Sequence, residues 1–173
     1  MTDKQHSLPE KLLSLLSMIC LLLFAAALIF QHGFDLQPCI KCIHQRLGVL
    51  LMAAIFFIAT VTPNWLRMAL YPFQYAIAIK TYLIATEHAF KQHNLDLTSS
   101  CGFSLEMPPW FAIDKWLPEI FEVRGMCDQI SWEFLGQTMP QWLSYILLGI
   151  ILLLTWVVIN DTKIYRIFSR NSH

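Results

Sequence analysis

Four of the five cysteines in the chain form two pairs with very different spacing. Cys39 and Cys42 make a C-x-x-C motif in the stretch QPCIKCIHQR, whereas Cys101 and Cys127 lie far apart in the second half of the chain. A disulfide within C-x-x-C closes so short a loop that it restricts the unfolded chain very little, and such pairs are more often redox-active than structural. The spacing therefore predicts a redox-active dithiol at Cys39 and Cys42.

Arg46 follows Cys42 by four residues, which places both on one face of a helix with their β-carbons about 6 Å apart. Because Pro38 precedes the motif, a helix can begin near Cys39 and direct its free N–H groups and positive dipole end toward the sulfurs. The dipole and the guanidinium charge both favour a thiolate over a thiol. The alternative is that Arg46 only anchors a membrane helix at the lipid headgroups. Anchoring alone, however, does not require Arg46 to lie on the same helix face as Cys42.

A second polar pair, Glu87 and His88, ends another apolar segment. If the helices form a bundle, this pair comes near Cys42 and Arg46, where His88 can donate a hydrogen bond or a proton to a ligand. The alternative is a histidine that is simply solvated at the membrane interface. The sequence leaves both interpretations open.

Hydrophobic helices must position these residues. The chain is 56% hydrophobic and 14% charged, which is too apolar for an ordinary soluble domain, and its zero formal net charge does not indicate nucleic acid as a partner. We expect a single integral membrane domain, residues 1–173, of the all-α class. It would be a four-helix transmembrane bundle with helices at about residues 12–30, 43–62, 67–87 and 141–160.

The third of these segments is the most polar, because it contains Pro72, Gln74 and Lys80. A membrane helix can carry such residues where they face protein, and Arg67 and Glu87 bracket the segment at membrane length. A buried or interfacial helix is the alternative.

Four membrane helices leave two loops, about residues 31–42 and 88–140, on the side opposite both termini. Lysine and arginine are more frequent on the side of the termini, so the positive-inside rule places the termini in the cytoplasm. Both cysteine pairs then lie together on the non-cytoplasmic side, in a compartment that permits disulfides. Cys20 falls within the first membrane helix and is expected to be an inert apolar residue.

The long second loop contains the segment PPWFAIDKWLPEIF. Its apolar residues recur at near-helical spacing, so it is predicted to be a short amphipathic helix at the membrane interface, broken at Pro118.

Two other uses of the cysteines fit the spacing less well. A zinc site suits the C-x-x-C half, but Cys101 and Cys127 do not form a second closely spaced pair, so no metal is predicted. A purely structural bridge suits Cys101 and Cys127, since it would close a long loop, but it does not suit Cys39 and Cys42.

The residues between about Phe30 and Trp142 closely resemble the DsbB family, quinone-reducing thiol oxidoreductases of the bacterial inner membrane. The resemblance rests on QPCIKCIHQR, TEHAF, CGF, PPWFAIDKWLPEIF, GMC and WEFLGQTMPQWL. It implies a four-helix membrane bundle with two periplasmic loops, a DsbA-like periplasmic partner, and a quinone cofactor (ubiquinone or menaquinone).

By this resemblance, the reduced partner attacks Cys101. Cys127 is thereby released and attacks Cys39. Cys42 is released as a thiolate beside the quinone, with its charge stabilised by Arg46. His88 and Gln45 match the family's quinone-side positions.

The sequence departs from the family pattern at Lys41, where an apolar residue is expected; a charge there can shift the potential of the dithiol. A vitamin K epoxide reductase-like enzyme is the alternative oxidoreductase, although the C-x-x-C motif expected at its last membrane helix is absent here. A tetraspan protein with inert disulfides is the non-enzymatic alternative.

Overall fold

A computed structural model of the chain describes residues 8–93, 112–127, 130 and 132–171. Within these ranges, four long helices account for most of the structure. They are α1 (Leu8–Gly33), α2 (Ile40–Val61), α3 (Asn64–His93) and α6 (Met139–Asn171).

The four long helices form a bundle. Contacts join α1 to α2, α2 to α3, α3 to α6 and α6 back to α1. The centre is filled by apolar side chains that are almost completely buried, among them Leu16, Met52, Phe56, Leu147 and Leu154. Many large apolar side chains are instead exposed on the outside of the bundle, as expected for a surface that faces lipid.

Short elements cover the end of the bundle that carries the cysteine motif. The one-turn helices α4 (Ile113–Trp116) and α5 (Pro118–Phe121) are separated at Leu117, so the predicted break at Pro118 is confirmed. A two-stranded hairpin, β1 (Glu133–Phe134) and β2 (Gln137–Thr138), leads into α6. Its turn has positive φ at Leu135 and Gly136, as type I′ turns require.

The prediction of a mainly helical protein with membrane-spanning segments is confirmed, but one of the four long helices is less apolar than the others. Of the described helices, α1, α2 and the Met139–Thr162 part of α6 are long and apolar enough to cross a membrane. Helix α3 has 30 residues, which is ample length, but it does not meet the same criterion. Pro72 lies inside it without ending it. The exception is thus the segment that the sequence indicated as the most polar.

Helices α2 and α3 approach closely at Gly48. A β-carbon added there would overlap the side chain of Thr81, whose hydroxyl donates a hydrogen bond to the Ile77 carbonyl oxygen. The absence of a side chain at Gly48 therefore sets the distance between the helices that carry Cys42 and His88.

A buried ionic cluster joins α1, α3 and α6 at the opposite end of the bundle. Arg67, only 1% exposed, donates through Nε and Nη2 to the two carboxylate oxygens of Asp161 at 2.8 and 3.2 Å. It also reaches Glu10 at 3.2 Å, and Tyr71 donates to Asp161 at 2.7 Å. The sequence suggested that Arg67 is a cation flanking the membrane; in the fold it is an internal ion-pair partner.

Candidate functional site

Cys39 and Cys42 lie at the N-terminus of α2, as the sequence predicted. Cys39 is the N-cap, with extended backbone angles, and its sulfur accepts a hydrogen bond from the Cys42 N–H at 3.4 Å. The two sulfurs are 3.1 Å apart and both residues are free thiols, so the pair is in its reduced form.

The two sulfurs are not equivalent. The Cys39 thiol donates to the Cys42 sulfur, and this hydrogen bond, together with burial, raises the pKa of Cys39. Cys39 therefore holds the shared proton, and Cys42 is the sulfur placed to carry negative charge.

Arg46 is buried, and its guanidinium is held by protein groups. Its guanidinium donates to the side-chain oxygen of Gln31, to the Ile120 carbonyl oxygen at 2.9 Å and to the Ala27 carbonyl oxygen at 3.1 Å. All three acceptors are neutral, and Arg46 interacts electrostatically with Cys42 and Cys39. In the described part of the chain, no carboxylate compensates this buried charge, so the site favours an anion beside it.

Gln31 orients the guanidinium and was not recognised from the sequence. Its amide oxygen accepts from Arg46, while its amide nitrogen donates to the Glu119 carbonyl oxygen at 2.8 Å. The side chain thereby connects α1, α2 and α5. No sequence motif marks it, because its partners are distant in sequence.

His88 is almost completely buried and contacts the first cysteine pair. Its Nε2 lies 3.6 Å from the Cys39 sulfur and its Nδ1 lies 3.3 Å from Gln45 Nε2. The ring also hydrogen-bonds to the backbone of Cys127. The interpretation of His88 as a solvated interface residue is therefore wrong.

The segment that carries Cys127 lies directly on the turn before Cys39. The backbone N–H groups of Arg124 and Gly125 donate to the Pro38 carbonyl oxygen at 2.9 and 3.0 Å. A β-carbon at Gly125 would lie 2.5 Å from the Gln37 carbonyl oxygen, so only glycine permits this approach. Sequence reasoning missed Gly125, although the GMC triplet was noted.

Cys127 itself is buried and disulfide-bonded. Cys101, the other predicted member of the second pair, lies outside the described residues. The structure thus brings together Cys39, Cys42, Gln45, Arg46, His88 and Cys127 out of the seven predicted site residues.

A cavity of about 240 Å³ opens beside these groups. Its polar lining comes from five of the site residues together with Gln37 and Gln92, and the remaining lining residues are largely apolar. The wall residues include Phe30, Leu36, Met139, Trp142 and Ile146. Such a cavity suits a largely apolar ligand with a few polar groups.

The chain matches the family model described as disulfide bond formation protein DsbB over residues 9–157. The chain belongs to the DsbB family. It is 35% identical over 149 residues to disulfide bond formation protein B of Photobacterium profundum, covering 84% of each chain. The protein of the same name in Histophilus somni is 34% identical over 145 residues, covering 83% of this chain and 82% of the relative. That of Escherichia coli is 35% identical over 151 residues, covering 85% and 84%.

Membership of the DsbB family confirms the resemblance seen in the sequence and identifies the chain as a membrane protein of disulfide bond formation with a disulfide oxidoreductase role. It excludes the interpretation as a tetraspan protein without redox function.

Proposed function

We propose that this protein is a thiol:quinone oxidoreductase that reoxidises a periplasmic DsbA-like dithiol protein and passes the electrons to a membrane quinone. The observation that carries the proposal is the buried Arg46 charge, which has only neutral hydrogen-bond partners in the described part of the chain and lies beside the Cys39–Cys42 dithiol at an apolar cavity.

The cavity residues fit a quinone head group. A flat ring would lie between apolar walls, with Cys42, Arg46 and His88 at its polar edge. Gln45 lines the same edge and orients His88. A bound quinone, ubiquinone or menaquinone, supplies a two-electron, two-proton acceptor. Arg46 holds negative charge at Cys42, and the Cys39 thiol is the nearby proton donor.

The proposed electron path runs from the second cysteine pair to the first. A thiolate of the reduced partner attacks Cys101 in the Cys101–Cys127 disulfide and releases Cys127. The Cys127 thiolate attacks Cys39 and breaks the Cys39–Cys42 disulfide, so that Cys42 leaves as a thiolate. The partner's second thiol then attacks the mixed disulfide, which releases the oxidised partner and the Cys101 thiolate. Cys101 attacks Cys127 in the Cys127–Cys39 disulfide, so the Cys101–Cys127 disulfide re-forms and Cys39 is released. Reoxidation of Cys39 and Cys42 to their disulfide would then deliver the two electrons to the acceptor.

Two contacts support the transfer between pairs. The Cys127 segment is hydrogen-bonded to Pro38, next to Cys39, and His88 contacts both Cys39 and the Cys127 backbone.

For this path, both loops must face the periplasm. We therefore propose that all four long helices cross the bacterial inner membrane, at about residues 12–30, 43–62, 67–87 and 141–160, with both termini in the cytoplasm. Helix α3 would cross with its polar Gln74 buried against the bundle.

The test is oxidation of a reduced DsbA-like protein by the purified protein in detergent, followed as loss of quinone absorbance. Two electrons per quinone should be transferred, and Cys42→Ser should abolish turnover. Cys20→Ser should leave turnover unchanged, since Cys20 does not line the cavity. Turnover that persists without quinone, or in Cys42→Ser, would contradict the proposal.

A further inference from the structure

Three side chains at the site form a compact set of soft ligands. The sulfurs of Cys39 and Cys42 and a ring nitrogen of His88 all lie within 4.8 Å of one another. Two are thiols and one is an imidazole, the donors that copper(I) and zinc prefer in proteins.

The spacing suits one shared metal ion. Metal–sulfur bonds of about 2.3 Å and metal–nitrogen bonds of about 2.0–2.1 Å, at tetrahedral to trigonal angles, place a sulfur and a nitrogen roughly 3.6–3.8 Å apart. The distance between Cys39 Sγ and His88 Nε2 is 3.6 Å. The two sulfurs, now 3.1 Å apart, would have to separate by roughly 0.7–0.9 Å, which a small rotation of one side chain provides.

The surroundings would hold His88 for this purpose. Metal-bound histidines usually donate their second ring nitrogen to a neighbouring oxygen, which fixes the ring. Here Nδ1 faces the side-chain amide of Gln45, and a 180° flip of that amide places its oxygen against Nδ1. The backbone of Cys127 also forms a hydrogen bond with the ring.

Charge selects the type of ion. Two thiolates carry two negative charges, and Arg46, whose acceptors are all neutral, supplies one positive charge. The nearby Lys41 is paired with Glu87. A monovalent cation therefore makes the buried group neutral, whereas a divalent ion leaves an uncompensated positive charge.

We propose that the reduced Cys39–Cys42 pair and His88 bind a soft monovalent metal ion of the copper(I) type. Binding displaces the proton that Cys39 holds, leaves both sulfurs as thiolates, and changes no oxidation state. If the proposed function holds, the bound ion also prevents Cys39 and Cys42 from re-forming their disulfide and so halts electron transfer.

The test is an anaerobic titration of the full-length, reduced protein in detergent with copper(I), in competition with a chromogenic copper(I) chelator. One equivalent should bind to the reduced protein and none to the protein whose first pair is oxidised. Cys39→Ser should abolish binding. His88→Ala should weaken it by about tenfold or more, since even outer partners of metal ligands are worth ~10–100-fold.

Two further variants make the result decisive. His88→Cys restores a third soft ligand and should recover most of the affinity if His88→Ala fails only for lack of that ligand. Cys20→Ser should bind like the parent. Equal affinity in His88→Ala and the parent overturns the three-ligand site, and tighter binding of zinc than of copper(I) overturns the charge argument. Quinone reduction by the metal-free protein is measured separately, so failure of either proposal is recognised independently.

Discussion

The ammonium nitrogen of Lys41 lies 2.6 Å from a carboxylate oxygen of Glu87. Lys41 stands inside the C-x-x-C motif and Glu87 immediately precedes His88, so one ion pair connects the start of α2 to the C-terminal part of α3. Glu87 also pairs with Lys91 at 3.4 Å. One carboxylate is therefore shared by two cations next to the dithiol.

The charge of Glu87 should tune the potential of the first cysteine pair. Glu87→Gln leaves the Lys41 and Lys91 charges uncompensated, which favours the reduced, thiolate-containing form and raises the reduction potential. The ion pairs of Glu87 are partly exposed, and such pairs contribute about 0.2–1 kcal/mol. The reduction potential should therefore rise by roughly 5–20 mV. Redox equilibration with a dithiol buffer, read out by thiol alkylation, measures it. The double variant Lys41→Met/Glu87→Gln should return close to the parent, and an unchanged or lower potential in Glu87→Gln would contradict the argument.

Gly125→Ala should slow electron transfer between the two cysteine pairs. The added β-carbon overlaps the Gln37 carbonyl oxygen, and such overpacking costs about 1–3 kcal/mol. Turnover driven by the reduced partner protein should fall by about tenfold, since ~1.4 kcal/mol corresponds to one decade. Reduction of the first pair by a small dithiol should be unaffected. Gly149→Ala is the control, because a β-carbon there has no neighbour within 4 Å. Equal loss with both reductants would show general damage to the fold.

Arg46→Lys separates thiolate stabilisation from membrane anchoring. Lysine keeps the charge but cannot reproduce the guanidinium fork that reaches Gln31, Ala27 and Ile120. Loss of one charge-assisted hydrogen bond costs about 1.5–3 kcal/mol, so the quinone concentration for half-maximal rate should rise by about tenfold or more. A quinone titration of steady-state partner oxidation checks this. Normal membrane insertion with superimposable titration curves would leave Arg46 only an anchoring role.

Gly48→Ala should destabilise the bundle by pushing α2 away from α3. The new β-carbon overlaps Thr81, at an estimated cost of about 1–3 kcal/mol. Thermal unfolding in detergent should show the loss, and the double variant Gly48→Ala/Thr81→Ala should regain most of it because the two closest atoms, Oγ1 and Cγ2 of Thr81, are removed. If Thr81→Ala brings no recovery, the close approach at Gly48 is not the cause.

Replacing only one partner of the Arg67–Asp161 ion pair should strongly reduce the stability of the protein. Asp161→Ala leaves the buried guanidinium without its bidentate partner, which typically costs about 3–5 kcal/mol. Replacing both residues, as in Arg67→Met/Asp161→Leu, should restore much of that loss, since no buried charge remains. Comparison of unfolding midpoints for the single and double variants measures the effect. A double variant as unstable as Asp161→Ala would point to the hydrogen bond from Tyr71 instead.

Local spacing made the first cysteine pair predictable. The two sulfurs and Arg46 lie within two turns of one helix, so their relative positions follow from helical geometry alone. The length of the apolar segments likewise indicated the membrane helices, because a helix rises by a fixed amount per residue. Both inferences use only interactions between neighbours in sequence.

Only the tertiary structure decided which distant residues meet these local units. His88 lies against Cys39, Gln31 against Arg46, and Gly125 against Gln37 because helices and loops far apart in sequence pack together. The sequence also suggested that Arg67 flanks the membrane, whereas packing buries it on Asp161. A charge or a glycine has the same local signature whether it faces solvent or a partner, so its role is determined by what the fold places opposite it.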